Sequence, residues 1–276
     1  MGIVSRAFSV IHGTAVPAVV RAGLSREQVE RRLASGERAL AGEDLTAADL
    51  AGVDLSGVDL TRATLRQADL RGARLVGADL TGACLCGARL AGADLTDAIL
   101  RDANCVRTGT QSPPDLASAN LTRARLTGAD LTRSVLRGAV LTGAVADEAS
   151  LHLADLREAR MDGASLVGAN LRHAQLDDAN LDGADLHEAD LARVHARGAT
   201  FRNARLGRAT LTEAALEGAD LTGADLADAV LMGTILRGAN LSAARFGGAD
   251  MDDAVLEGAD TTDADLTGAH NLPRAR

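Results

Sequence analysis

Leucine stands at every fifth position from Leu45 to Leu100, and a small residue stands two places before nearly every one, as in Ala68-Asp69-Leu70-Arg71-Gly72. A period of five matches neither the 3.6-residue repeat of a helix nor the two-residue alternation of a strand. The unit is Ala-(Asp/Asn/Arg)-Leu-x-Gly, and it resumes in a second register from Leu116 to Asn271. Every fifth position gives 13 units from 45 to 105 and 32 from 116 to 271, with Leu in 12 of the first set and 24 of the second. Cys105, Met161, Phe201, Phe246 and Met251 fill most of the rest, while Ala146, Ala196, Thr261 and Asn271 are weaker members. If the Leu and the small residue point inward, three positions in five face solvent. A unit this short buries no core alone, so successive units must stack on one another.

This A(D/N)Lxx pattern resembles the pentapeptide-repeat family over roughly nine-tenths of the chain. The resemblance implies an all-β fold, a right-handed quadrilateral parallel β-helix with four units to a coil. Residues 20 apart then form columns, and about 11 coils spaced ~4.8 Å make a rod of roughly 50 Å. Glycine at the last position of the unit suits a turn with positive φ. The shaft accounts for the leucines, which need not be read as a lipid or cofactor site.

Outside the repeat the pattern changes. Residues 1–23 carry no repeat and read as an N-terminal tail that does not fit a secretory signal. Over 24–42, Ser25 and Gln28 form a capping box, Val29 and Leu33 share a face, and Gly36 is a stop, so a short helix caps the first coil. Coils are expected over 43–105 and 116–271, with a loop insertion at 106–115 and a tail at 272–276. The loop residues Arg107, Thr108 and Gln111 are candidate partner contacts, because gyrase-protecting (Qnr-type) members of the family also carry loops that interrupt a coil. Val135, Val140 and Val145 replace the outward polar residue on three successive faces and make a low-charge belt.

Charge adds bands along the rod. The net charge is −9, and aromatic residues are only 1% of the chain, too few for a conventional core of this size. From Asp147 to Asp190 there are 11 acids and three arginines, from Arg193 to Arg208 five arginines and no acid, and from Asp250 to Asp265 seven acids and no arginine. Asp155, Glu158, Asp177, Asp178, Asp182, Asp185, Glu188 and Asp190 form a candidate partner-binding surface. Near the C terminus, Ala215, Ile235 and Val255 lie in one column with His195, and Val230 and Met232 lie beside it. These five apolar residues are a candidate homodimer interface, since gyrase-protecting relatives dimerise through their C-terminal coils.

The chemistry of catalysis is missing. Cys84 and Cys86 flank inward Leu85 and should point outward, whereas Cys105 points inward, so neither a shared metal nor a disulfide among them is expected. His152 and His173 fall on one face in adjacent coils, with Asp190 one coil further, a weak basis for a metal site. The pattern predicts a non-enzymatic cytoplasmic protein with no cofactor, no metal, no membrane span and no direct contact with nucleic acid. The family resemblance and the acidic rod suggest a DNA mimic that binds DNA gyrase or another type II topoisomerase and shields it from a poisoning antibiotic. A scaffold or adaptor rod with an unrelated protein partner is the alternative, and a secreted effector is a third reading.

Overall fold

The computed structural model describes residues 23–104 and 112–272, together with the backbone of 8–11 and 14–17. Each pentad makes one turn and one parallel bridge. Asp44 pairs with Thr64, Thr64 with Cys84, and so on along columns of residues 20 apart. The N–H of Leu45 donates to the Thr64 carbonyl at 2.8 Å, and that of Thr64 to the Glu43 carbonyl at 2.9 Å. Ala48 N–H closes the turn on the Leu45 carbonyl at 3.0 Å, while Ala47 N–H reaches the Arg66 carbonyl of the next coil at 2.8 Å. The chain is therefore a parallel β-helix.

One N–H in each pentad is left over, on the residue after the leucine, and a buried or crowded donor needs a partner. The consensus Asp supplies it: Asp44 Oδ1 accepts from Thr46 N–H at 2.9 Å. The same short-range acceptance recurs at Asp79 with Thr81, Asp130 with Thr132, Asn180 with Asp182 and Asp265 with Thr267. The repeated carboxylate is thus a backbone acceptor before it is a surface charge.

The second residue after the leucine has positive φ, the requirement of a type II turn. Glycine occupies that place at Gly198 (φ 66), but Arg62 (φ 56), Glu158 (φ 60) and Leu153 (φ 58) tolerate it too. Gly198 is constrained twice over, because a Cβ there would lie 2.8 Å from Asp178 Oδ1.

The shaft is filled. The fifth-position leucines from Leu40 to Leu241 and the alanines two places before them are buried, with Phe201, Phe246, Met161 and Met251 in leucine positions. Ser134 and Thr234 are fully buried in places that alanine takes elsewhere.

The N-terminal end is closed by α1 (Arg26–Ala34), whose Ser25–Gln28 capping box forms as expected. Val29 is buried, and Leu24 and Leu33 pack against the core. Leu24 N–H donates to the Asp44 carbonyl at 2.7 Å, taking the place of a preceding coil. Arg32 ties the helix down through Glu37 at 2.5 Å and Glu43 at 2.8 Å. The two carboxylates raise the Arg32 pKa further above its already high value. Ahead of the helix, within the segment expected to be a tail, β1 (Phe8–Ile11) and β2 (Thr14–Pro17) pair as an antiparallel hairpin. No helix among the described residues is long and apolar enough to cross a membrane.

Two expected boundaries shift. Pairing already begins at Ala39 with Asp59, ahead of residue 43. Past the interruption, Arg89 pairs with Asp115, Asp94 with Asn120 and Ile99 with Arg125, a spacing of 26. Pro114 is buried in the small-residue position, and its carbonyl accepts from Val135 N–H at 3.1 Å. Residues 114 and 115 therefore belong to the coil, because proline needs no donor where only its carbonyl is used.

Candidate interaction surface

The acidic band and the arginine band meet across neighbouring coils, and much of their charge cancels. Arg205 pairs with Asp185 at 2.8 Å and Arg208 with Glu188 at 3.3 Å, each pair 20 residues apart. Arg157 holds Asp155 at 2.6 Å, Arg137 holds Glu158 at 2.5 Å and Arg172 holds Asp190 at 3.3 Å. On the far side, Arg193, Arg197 and Arg202 pair with Glu213, Glu217 and Asp220. The Arg157 guanidinium holds the Asp155 carboxyl below the usual carboxylate range. In an earlier coil the Arg71 guanidinium pulls Asp69 down to about 2.

Asp177, Asp178 and Asp182 are set apart from this pairing: among the described residues none lies within ion-pair distance of a cation. Asp177 Oδ1 instead accepts from Arg197 N–H at 2.9 Å and Asp182 Oδ1 from Arg202 N–H at 3.0 Å. They serve the leftover N–H where His195 and Thr200 stand in place of the consensus Asp or Asn. Asp178 arches over Gly198. These three carboxylates are the part of the expected acidic surface without an ion pair among the described residues, although Arg157 and Arg197 act on Asp177, and Arg202 on Asp182, at longer range.

The C-terminal apolar residues divide. His195, Ala215, Ile235 and Val255 do stack in one column. Ala215, however, is only 8% exposed, so it contributes little surface. Val230, Ile235 and Val255 are half-buried and Met232 is exposed. The last coil has no cover among the described residues: Leu256 and Leu266 are half-buried where earlier leucines are wholly so. The loop candidates Arg107, Thr108 and Gln111, with Cys105, lie outside the described residues. Val135, Val140 and Val145 form the expected belt and are each half-buried.

The expectation for the cysteines needs correction. Cys86 does not point into solvent but is 1% exposed, with its Sγ 3.6 Å from that of Cys84. The chain beyond the interruption comes close to this side of the coil, with the Ser112 carbonyl 3.7 Å from where a Cβ on Gly87 would lie. The two histidines also meet: His152 and His173 stand edge to face with ring centres 5.9 Å apart. Asp190 is engaged with Arg172 instead. Burial, and after it the charge of Arg193, holds the His173 imidazole below its ordinary range. Among the described residues no three His, Cys, Asp or Glu side chains gather as metal ligands would.

The family model described as "Pentapeptide repeats" matches in overlapping stretches, 44–75 and 73–104 before the interruption and from 119–157 to 234–270 after it. HetL, a pentapeptide repeat protein involved in heterocyst differentiation regulation from the cyanobacterium Nostoc sp. strain PCC 7120, is 33% identical. That match covers 89% of this chain and 96% of HetL, with a TM-score of 0.49. A second Nostoc PCC 7120 pentapeptide repeat protein is 29% identical over 47% of this chain and 84% of its own, with a TM-score of 0.31. QnrB1, a plasmid-mediated fluoroquinolone resistance protein, is 18% identical over 82% of this chain and 90% of its own, with a TM-score of 0.21. Among curated proteins none matches significantly.

Proposed function

Because the chain belongs to the pentapeptide-repeat family, we propose that it acts as a non-enzymatic interaction rod, a cytoplasmic adaptor that docks protein partners along its sides. The rod is a right-handed, four-sided β-helix of about 11 coils at the spacing of paired strands. The observation that carries this reading is the cancellation of much of the surface charge along the middle of the rod. Between Asp155 and Asp190 most carboxylates are occupied by backbone N–H groups within the pentad and by arginines beside them or one coil away. A side so neutralised offers a shaped, rigid surface, not a strong field that imitates a duplex. Its apolar contact surface includes Val230, Met232, Ile235 and Val255.

The rod pairs with a second copy through its last coil. The helix closes one end, while at the other Leu256 and Leu266 are partly open. Among the described residues no carbonyl accepts from the N–H of Leu266 or Gly268. An identical end supplies matching apolar and polar groups in an isologous contact. Light scattering of the purified chain should give a dimer, and Leu266→Glu a monomer; a monomeric parent protein removes this part of the reading.

A second reading, protection of DNA gyrase by imitation of DNA, is favoured by one feature, the carboxylates of Asp177, Asp178 and Asp182, which have no ion pair among the described residues. Gyrase supercoiling with and without a poison separates the two. The adaptor reading expects no change in supercoiling. Rescue that is lost in a combined Asp177→Asn, Asp178→Asn, Asp182→Asn variant would replace it with the mimic. Rescue that survives in that variant would make gyrase the partner without mimicry. Asparagine is the necessary replacement, because its Oδ1 still accepts the backbone N–H and so keeps the coil intact.

A further inference from the structure

Cys84 and Cys86 lie on either side of Leu85, whose side chain is seated in the shaft and whose N–H donates to the Asn104 carbonyl at 2.9 Å. That anchor holds the two thiols on one side of the coil, Sγ to Sγ at 3.6 Å. They differ in access: Cys84 is partly exposed and Cys86 is buried. We infer that the pair is a peroxide-responsive dithiol, in which Cys84 is oxidised first and Cys86 resolves it to an intramolecular disulfide.

The chemistry balances without any other group. The Cys84 thiolate attacks one oxygen of hydrogen peroxide; an S–O bond forms, the O–O bond breaks, and the departing hydroxide takes a proton and leaves as water. The Cys86 thiolate then attacks Cys84 Sγ. An S–S bond forms, the S–O bond breaks, and a second water leaves with the proton from Cys86. Two electrons pass from the two sulfurs to the peroxide. An accessible thiol beside a resolving one is the arrangement of reversible thiol sensors. Burial keeps Cys86 from the oxidant but within reach of its neighbour.

The bond would also be open to reversal. Cys84 is partly exposed, so a small thiol can reach its sulfur and undo the bond by exchange, which makes the device a reversible modification and not a permanent staple.

The test uses the full chain treated with hydrogen peroxide, alkylated and digested with trypsin. Both thiols fall in the single fragment 75–89, between Arg74 and Arg89, while Cys105 falls in another. The expected product is fragment 75–89 lighter by two hydrogen atoms, closed to alkylation and restored by dithiothreitol. In Cys86→Ser, Cys84 should accumulate as a sulfenic acid trapped by dimedone. Fragment 75–89 doubly alkylated after peroxide, Cys84 joined to Cys105, or dimedone labelling as strong in the parent as in Cys86→Ser would each overturn the inference.

Discussion

Replacing Ser134 with alanine is expected to stabilise the rod, although it removes a polar side chain and adds nothing. The hydroxyl is fully buried and has no hydrogen-bond partner among the described residues, in a position where alanine lines the shaft in most other pentads. A buried, unsatisfied hydroxyl costs about 1–3 kcal/mol. The few dispersion contacts of one oxygen return only ~0.1–0.2 kcal/mol each, so the net gain is about 1–2 kcal/mol. For a chain of this size that is roughly 2–4 °C in Tm per kcal/mol. A stacked rod need not melt in one step, so hydrogen exchange at Asp155 is the sharper assay. Its N–H donates to the Ser134 carbonyl at 3.0 Å and should exchange more slowly in the variant. Thr234→Ala provides the opposite sign. Thr234 Oγ1 donates to the Leu211 carbonyl at 2.8 Å, so alanine there loses a hydrogen bond and a methyl group, about 1–2 kcal/mol in total. An unchanged or lowered stability in Ser134→Ala, or both variants moving the same way, would refute the reasoning.

Glycine substitutions should separate strain from collision: Gly238→Ala, with φ 64 and open space around the new Cβ, is expected to cost about 1 kcal/mol. Gly198→Ala, where the Cβ meets Asp178 at 2.8 Å, should cost roughly twice that in urea denaturation; equal losses would show that the Asp178 side chain simply swings away. His173 has a folded-state pKa below its unfolded value, so its contribution is complete above pH ~6.5 and is lost as pH falls through the folded pKa. Denaturation midpoints between pH 8 and 5 should decline less steeply in His173→Gln, and an identical slope would exclude this residue as the cause. Arg32→Ala removes the ties to Glu37 and Glu43 and should loosen the first coil only slightly, since these side chains are solvated. It should be read as faster amide exchange at Leu45 and Leu50 with no change at Leu221; uniform loss along the rod would contradict a local cap.

Much of this was legible in the five-residue spacing. Leu45 to Leu100 and the alanines before them are where the shaft requires apolar and small side chains, and Ser25 with Gln28 marked the helix start. Spacing alone did not disclose that Asp44 or Asp79 serves a backbone N–H, because a polar residue on an outward face looks like a solvated one. The pairing of Arg205 with Asp185 was within reach, since both are 20 residues apart in a chain whose coil is 20 long, but counting charge in bands along the chain hid it. Pro114 was misplaced because its small-residue role depends on which of its two backbone groups the ladder uses. Cys86 was misjudged for a different reason: its position faces outward in a regular coil, and its burial beside the interruption does not show in the spacing.

The two periods of the molecule, five for its interior and 20 for its exterior, give it an unequal memory of its own alignment. A duplication or deletion of one pentad would restore every leucine to the shaft downstream and leave the ladder of backbone bonds intact. It would also turn every following residue onto the next face, so that Arg205 would no longer meet Asp185, nor Arg208 Glu188. Gain or loss of 20 residues would leave face assignments untouched downstream, and the coil that already absorbs six extra residues between Arg89 and Asp115 does so without rotating anything beyond it. Among descendants of such a gene, length should therefore drift freely by whole coils, and single-pentad slips should survive only where the decorated faces have ceased to matter.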